Sequence, residues 1–333
     1  MDFFLILEWV VKAIFLLLFG TAGFAYLTYY ERRALARIQT RIGPNRAGPF
    51  GLLQPVADGI KLIFKEELIP DRADKLMFIL APIITVFPAL IIWAVIPWGS
   101  SVTLFGRQIS LYLADVNIGV LYLTAVASIA VYGIVIAGWS SNNKYALLGG
   151  MRASAQMISY EIALGLSLLG PVMLAGSLSL VDIVEAQNPV WFVFLQPISF
   201  LIFLMAGLAE INRAPFDMPE AEQELTAGYH SEYSGMKFAL FFMAEYIKMI
   251  AISAIAVTLF LGGYRGPFID SIPWLGPFYF LGKVIITLFF VIWVRATLPR
   301  FRYDRLMAFG WKVLLPLALL SIFITALIVV IIG

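Results

Sequence analysis

Apolar runs of about 20 residues recur along the whole chain, separated by shorter polar stretches. Each is long enough to cross a bilayer as a helix, which needs roughly 20 residues at 1.5 Å rise each. Hydropathy therefore predicts an all-α polytopic membrane protein with about eight transmembrane helices. The spans fall near 9–30, 76–98, 116–139, 156–176, 191–209, 238–261, 277–294 and 311–332, in a single membrane domain covering 1–333. Composition agrees: 61% hydrophobic residues against 13% charged leaves little for a solvated surface. Asp2 and Glu8 stand at the start of the first run instead of a basic segment, and no small-residue cleavage site follows, so that run is read as a retained span. In the first polar loop, Ala57–Glu67 places Ile60, Ile63 and Phe64 against Asp58, Lys61 and Lys65 at helical spacing, which predicts a short amphipathic interfacial helix.

Basic residues set the orientation. The loops 32–75, 139–155, 211–237 and 295–312 hold eighteen Lys and Arg, and the alternate loops hold only Arg107 and Arg265. The basic side is expected to be cytoplasmic, with both termini on the non-cytoplasmic side. Net charge is close to neutral, which argues against a nucleic-acid partner.

With no cysteine and a single histidine, His230, the chain cannot ligate an iron–sulfur cluster, a bis-histidine haem or a conventional zinc ion by itself. No redox centre is expected in this chain, and no metal site. Any electron carriers it serves belong to other subunits.

Acids stand where lipid makes them costly. Glu161 lies about five residues inside the fourth predicted span and Glu245 about seven inside the sixth. A carboxylate at such depth faces the bundle interior or water, either as part of a proton pathway or as a satisfied structural acid. Lys248, three residues from Glu245, offers the simpler explanation of an ion pair. Between the fifth and sixth runs, Glu210–Gly235 carries Glu210, Asp217, Glu220, Glu222, Glu224 and Glu232 against one base in its first half, Arg213. Phe216, Met218, Leu225 and Tyr229 are interleaved with these acids, which predicts a segment folded against the bundle. His230 alone is most simply a hydrogen-bonded structural histidine. The run Arg300-Phe301-Arg302-Tyr303-Asp304-Arg305 reads as a positive anchor at headgroup level.

These stretches, in this order, resemble one family. They are Glu31-Arg32-Arg33, Arg41-Ile42-Gly43-Pro44-Asn45-Arg46 and Gly51 to Asp58; Trp139 to Leu148 leading to Ile158-Ser159-Tyr160-Glu161; Glu210 to Asp217 and His230 to Tyr233; Phe241 to Tyr246; and Leu298 to Asp304. The chain is similar over essentially its full length to the heel membrane subunits of respiratory complex I, the proton-pumping NADH:quinone oxidoreductase.

The resemblance implies the membrane half of a quinone chamber in a bacterial plasma membrane. Quinone is the substrate, while FMN and iron–sulfur clusters are carried by partner subunits only. Hydrophilic subunits bearing the terminal cluster would close the chamber, and antiporter-like and small membrane subunits would adjoin it. By the same resemblance, Glu161, Glu210, Asp217, Glu220, Glu222, Glu224 and Glu245 are candidates for a proton path. Arg32, Asp58, Phe216 and Arg295 are candidates for the quinone chamber. Equivalent subunits of ferredoxin-linked or hydrogenase-type complexes share the pattern. A stand-alone ion-coupled transporter would call for paired repeats, which the sequence does not display.

Overall fold

The fold is that of a computed structural model covering residues 3–104, 107–188, 190–217, 227–269 and 271–332. Helix α1 (Phe3–Ile38) is followed by α2 (Gln54–Ile63) and α3 (Lys75–Ile91). A hairpin of β1 (Ser101–Leu104) and β2 (Arg107–Ser110), antiparallel with Ser101 opposite Ser110, leads to α4 (Gly119–Ser140) and α5 (Lys144–Ala175). Then come α6 (Leu180–Ala186), α7 (Phe192–Leu195) and α8 (Pro197–Glu210). The order ends with α9 (Gly235–Phe260), α10 (Gly276–Thr297), α11 (Tyr303–Phe309) and α12 (Leu315–Ile332), the last two joined through a π-helical turn at Gly310–Leu314.

Seven helices among the described residues are long and apolar enough to cross a membrane. The predicted run at 191–209 takes a different form. It breaks at Gln196-Pro197 into α7 and the 14-residue α8, because Pro197 keeps Gln196 out of helical geometry. Helix α8 is apolar but shorter than the seven. Its first turn meets α12 through Ser199 and Ser321, 2.7 Å apart. Its end is held on α5, where Gln156 Nε2 donates to the Ala209 and Phe216 carbonyls at 2.8 Å each.

Two boundaries move. Helix α1 does not stop at Tyr30 but runs to Ile38, since Glu31–Ile38 contains only residues that tolerate a helix, with Ala34, Leu35 and Ala36 favouring one. Helix α5 begins at Lys144, so the loop expected at 139–155 shrinks to three residues capped by Asn143, whose side chain accepts from the Tyr145 N–H at 2.9 Å. Gly149 and Gly150 do not break α5. A Cβ on Gly149 would lie 2.6 Å from the Gly228 Cα, so glycine there lets another backbone approach closely. The amphipathic helix expected in the first polar loop is present as α2, which starts three residues earlier than expected.

Helix α9 is buried along almost its whole length and forms the axis of the bundle. It contacts α3, α10 and α1 most extensively. Glu245 and Lys248, both buried on it, are therefore shielded from lipid.

Candidate functional site

Glu245 and Lys248 lie one turn apart on α9, both buried. The geometry gives them different partners. Glu245 Oε2 is 3.0 Å from Nη2 of Arg213, which stands on the loop after α8. Tyr229 Oη donates to Glu245 Oε1 at 3.4 Å, and His230 Nε2 lies 3.9 Å from the same oxygen. The Arg213 guanidinium sits 4.5 Å from the Tyr246 ring centroid and 5.4 Å from that of Phe242. Two aromatic faces thus compensate part of its desolvation.

The contacts continue. Tyr246 Oη donates to Glu31 Oε2 of α1 at 2.6 Å, and Arg295 of α10 pairs with the other oxygen of the same carboxylate. Glu31 is 3% exposed. Half-buried Arg295 and the buried Glu31, Tyr246, Arg213, Glu245 and Tyr229–His230 pair therefore form one chain of polar contacts across α10, α1, α9 and the loop after α8.

Burial is the main influence on His230. It pushes the imidazole pKa down to about 4; the Glu245 carboxylate opposes this and the Arg213 charge adds to it. The ring is neutral across the physiological range, so its contact with Glu245 is dipolar and not an ion pair.

One turn further along α9, Lys248 lies within electrostatic range of Glu210, Glu245 and Glu161. Glu210 and Lys248 both line a cavity of about 40 Å³ whose other walls include Leu123, Thr124, Leu164 and Phe203. That is room for about two or three water molecules, in a place where the polar groups could bind them. Ser128 of α4 donates to Glu161. Glu161 lies 17 residues along α5, not near the start of a span, because α5 begins so early.

A second feature opens beside this chain. Helices α1, α2 and α9 enclose a crevice of about 260 Å³ walled by Phe24, Thr28, Pro55, Leu62, Phe238 and Phe242. Arg32 and Asp58 line it and pair across it at 2.7 Å, and Gln54 Nε2 donates to the other Asp58 oxygen at 3.0 Å. Phe242 belongs to both features, since it walls the crevice and lies under Arg213. Arg32 directly follows Glu31.

The acidic stretch is anchored at both described ends. Asp217 pairs with Arg300 at 3.0 Å, and Phe216 stacks on Phe301 with ring centroids 5.7 Å apart. Glu232 accepts from Asn143 Nδ2 at 2.6 Å, and Tyr233 stacks on Phe78 at 4.0 Å. Glu220, Glu222 and Glu224 lie outside the described residues.

The structure thus brings Glu245, Glu210 and Glu161 together around Lys248, Arg32 with Asp58 in the crevice, and Arg295 with Glu31. It does not bring Phe216 to the crevice; that ring is buried among Tyr160 and Phe301. Glu31, Tyr246 and Tyr229 are the members that residue-by-residue reading passes over. Glu31 sits beside two arginines and reads as part of a membrane anchor, while Tyr246 and Tyr229 read as core aromatics. A buried tyrosine hydroxyl needs a partner, and that was the available signal.

Comparison with known proteins gives a consistent result. A family profile described as NADH dehydrogenase matches residues 11–326. The chain is 57% identical over 302 residues to the NADH-quinone oxidoreductase H subunit of Protochlamydia amoebophila, covering 91% of each protein. It is 54% identical over 314 residues to the H subunit of Thermomicrobium roseum, again covering 91% of each. It is 58% identical over 301 residues to the second H subunit of Geobacter sulfurreducens, covering 90% of each.

Proposed function

The chain belongs to the NADH dehydrogenase family and is a membrane subunit of NADH-quinone oxidoreductase, of the H type; from that premise we propose that its crevice admits quinone and its buried polar chain couples quinone reduction to proton movement. One observation carries the proposal. Phe242 is shared, so a molecule in the crevice lies one aromatic ring away from the Arg213–Glu245 pair.

The residues fit the chemistry. The crevice walls are mainly aromatic and aliphatic, suited to a quinone ring and its isoprenoid tail, with Arg32 and Asp58 as the polar pair along the way. Quinone becomes quinol by taking two electrons and two protons. Electrons arrive from outside this chain, which has no thiolate to hold a cluster. Negative charge developing near Arg32 and Arg295 competes for the same cations that hold Asp58 and Glu31. Loosening Glu31 frees the Tyr246 hydroxyl, and beyond it stand Arg213 and Glu245. Lys248 then links Glu245 to Glu210 and Glu161, the inward end of the path. Glu220, Glu222 and Glu224, candidates for the same path by the family resemblance, lie outside the described residues. FMN and iron–sulfur clusters belong to hydrophilic partner subunits, and antiporter-like subunits receive the protons. The basic end of the bundle faces the cytoplasm of a bacterium, with the chain in its plasma membrane.

A photoreactive quinone analogue, added to the assembled complex in native membranes, tests the entry. The expected crosslinks fall on Phe24, Thr28, Phe238 or Phe242 and are competed by unmodified quinone. Competed crosslinks confined to other helices would overturn the assignment.

A further inference from the structure

The helix that carries Glu31 and Arg32 turns a second basic face to a different pocket. A pocket of about 430 Å³ is lined by Tyr29, Tyr30, Arg33, Ala34 and Arg37 of α1, by Phe50 of the following loop and by Phe289 of α10. Two guanidiniums line it and no carboxylate does. Arg33 is fixed in place: its Nε donates to Tyr29 Oη at 3.0 Å, its Nη2 donates to the Phe50 carbonyl, and Tyr29 Oη donates to that carbonyl at 2.6 Å. Arg37, one turn further on, is exposed and has no ion-pair partner among the described residues.

Depth narrows the choice of occupant. The long apolar part of α1, residues 9–30, spans roughly 33 Å as a helix, which matches the hydrocarbon layer. Tyr29 and Tyr30 then stand at the boundary, where aromatic rings are favoured, and Arg33 and Arg37 stand about one and two turns beyond it, at headgroup level. Below them the exposed ring of Phe289 continues the wall toward the lipid tails. A basic cup above an apolar wall, between two spanning helices at the basic end of the bundle, is complementary to an amphiphile with an anionic head.

We propose that this pocket binds an anionic phospholipid, with its phosphodiester between Arg33 and Arg37 and one acyl chain along Tyr30 and Phe289. This site is distinct from the quinone crevice, which opens between α1, α2 and α9. It stands whether or not the crevice admits quinone.

The test uses the whole complex in nanodiscs, with photoreactive phosphatidylglycerol and photoreactive phosphatidylcholine as probes and labelled peptides mapped by mass spectrometry. Arg37 is the residue to change, since Arg33 also holds the loop backbone. Phosphatidylglycerol is expected to label the peptides bearing Tyr30 and Phe289 preferentially. Arg37→Gln should weaken that labelling by about fivefold, equivalent to about 1 kcal/mol per basic residue at an anionic surface, and Arg37→Lys should restore most of it. Excess inorganic phosphate should not compete. Equal labelling by the two probes, unchanged labelling in Arg37→Gln, competition by free phosphate, or no labelling because a neighbouring chain covers the pocket would each overturn the proposal.

Discussion

Glu245 has partners of three kinds: a guanidinium at 3.0 Å, a phenol and a neutral imidazole. Removing its charge leaves Arg213 buried beside two aromatic rings with its nearest described counter-charge gone. Breaking such a pair from one side costs about 3–5 kcal/mol. Glu245→Gln should therefore lower the thermal stability of the assembled complex, and Glu245→Gln combined with Arg213→Met should recover part of that stability without recovering quinone reduction. A double variant that regained both would reduce the pair to a structural role. His230 makes a separate prediction. Its folded pKa of about 4 lies below the ordinary 6.5, so the unfolded chain binds the extra proton between those values. This contribution is fully present above pH 6.5 and is lost as pH falls toward 4, amounting to about 3 kcal/mol. It is the only histidine in the chain, so in the nitrogen-15 histidine-labelled complex its signal is identified by its loss in His230→Gln. A neutral ring at pH 5.5 is expected, and half-protonation near 6.5 would contradict the buried placement.

Helices α3 and α4 pack without room for a side chain at their crossing. A Cβ on Gly133 would lie 2.1 Å from Thr85 Oγ1 and 2.9 Å from the Ala81 carbonyl oxygen. Gly133→Leu should overpack this contact by at least about 1–3 kcal/mol and reduce the amount of complex recovered from membranes, whereas Gly165→Ala, where a Cβ meets nothing within 4 Å, should not. Such crossings explain how far the elements were legible beforehand. Hydropathy finds the apolar middles of helices well, because lipid selects them. It misses Lys144–Ala155 of α5 and Glu31–Ile38 of α1, which are helical yet polar enough to leave the bilayer. It also overestimates the fifth run, where Pro197 divides an apolar stretch into two helices. The acids at the site were legible because charge inside an apolar run is conspicuous. The phenols of Tyr246 and Tyr229 were not, since burial and hydrogen bonding look alike for an aromatic residue until its neighbours are known.

At the scale of the molecule, α9 is the common wall. One of its faces closes the crevice through Phe238 and Phe242. Deeper, it carries Glu245, Tyr246 and Lys248 into contact with elements from both halves of the chain. A protein built this way needs no redox centre of its own. In the proposed mechanism an event in the crevice becomes a rearrangement of buried ion pairs, and the cluster around Lys248 conducts the response inward. The most direct measurement of that claim is NADH-driven quinone reduction and proton uptake, recorded on the same proteoliposomes, for Lys248→Met and Glu210→Gln in the intact complex. Both rates should fall together by about tenfold or more, the scale of losing a coupling of about 1.4 kcal/mol or greater, while NADH oxidation by a soluble acceptor that bypasses quinone is unchanged. Quinone reduction and proton uptake both at the unmodified rate in the two variants would contradict it.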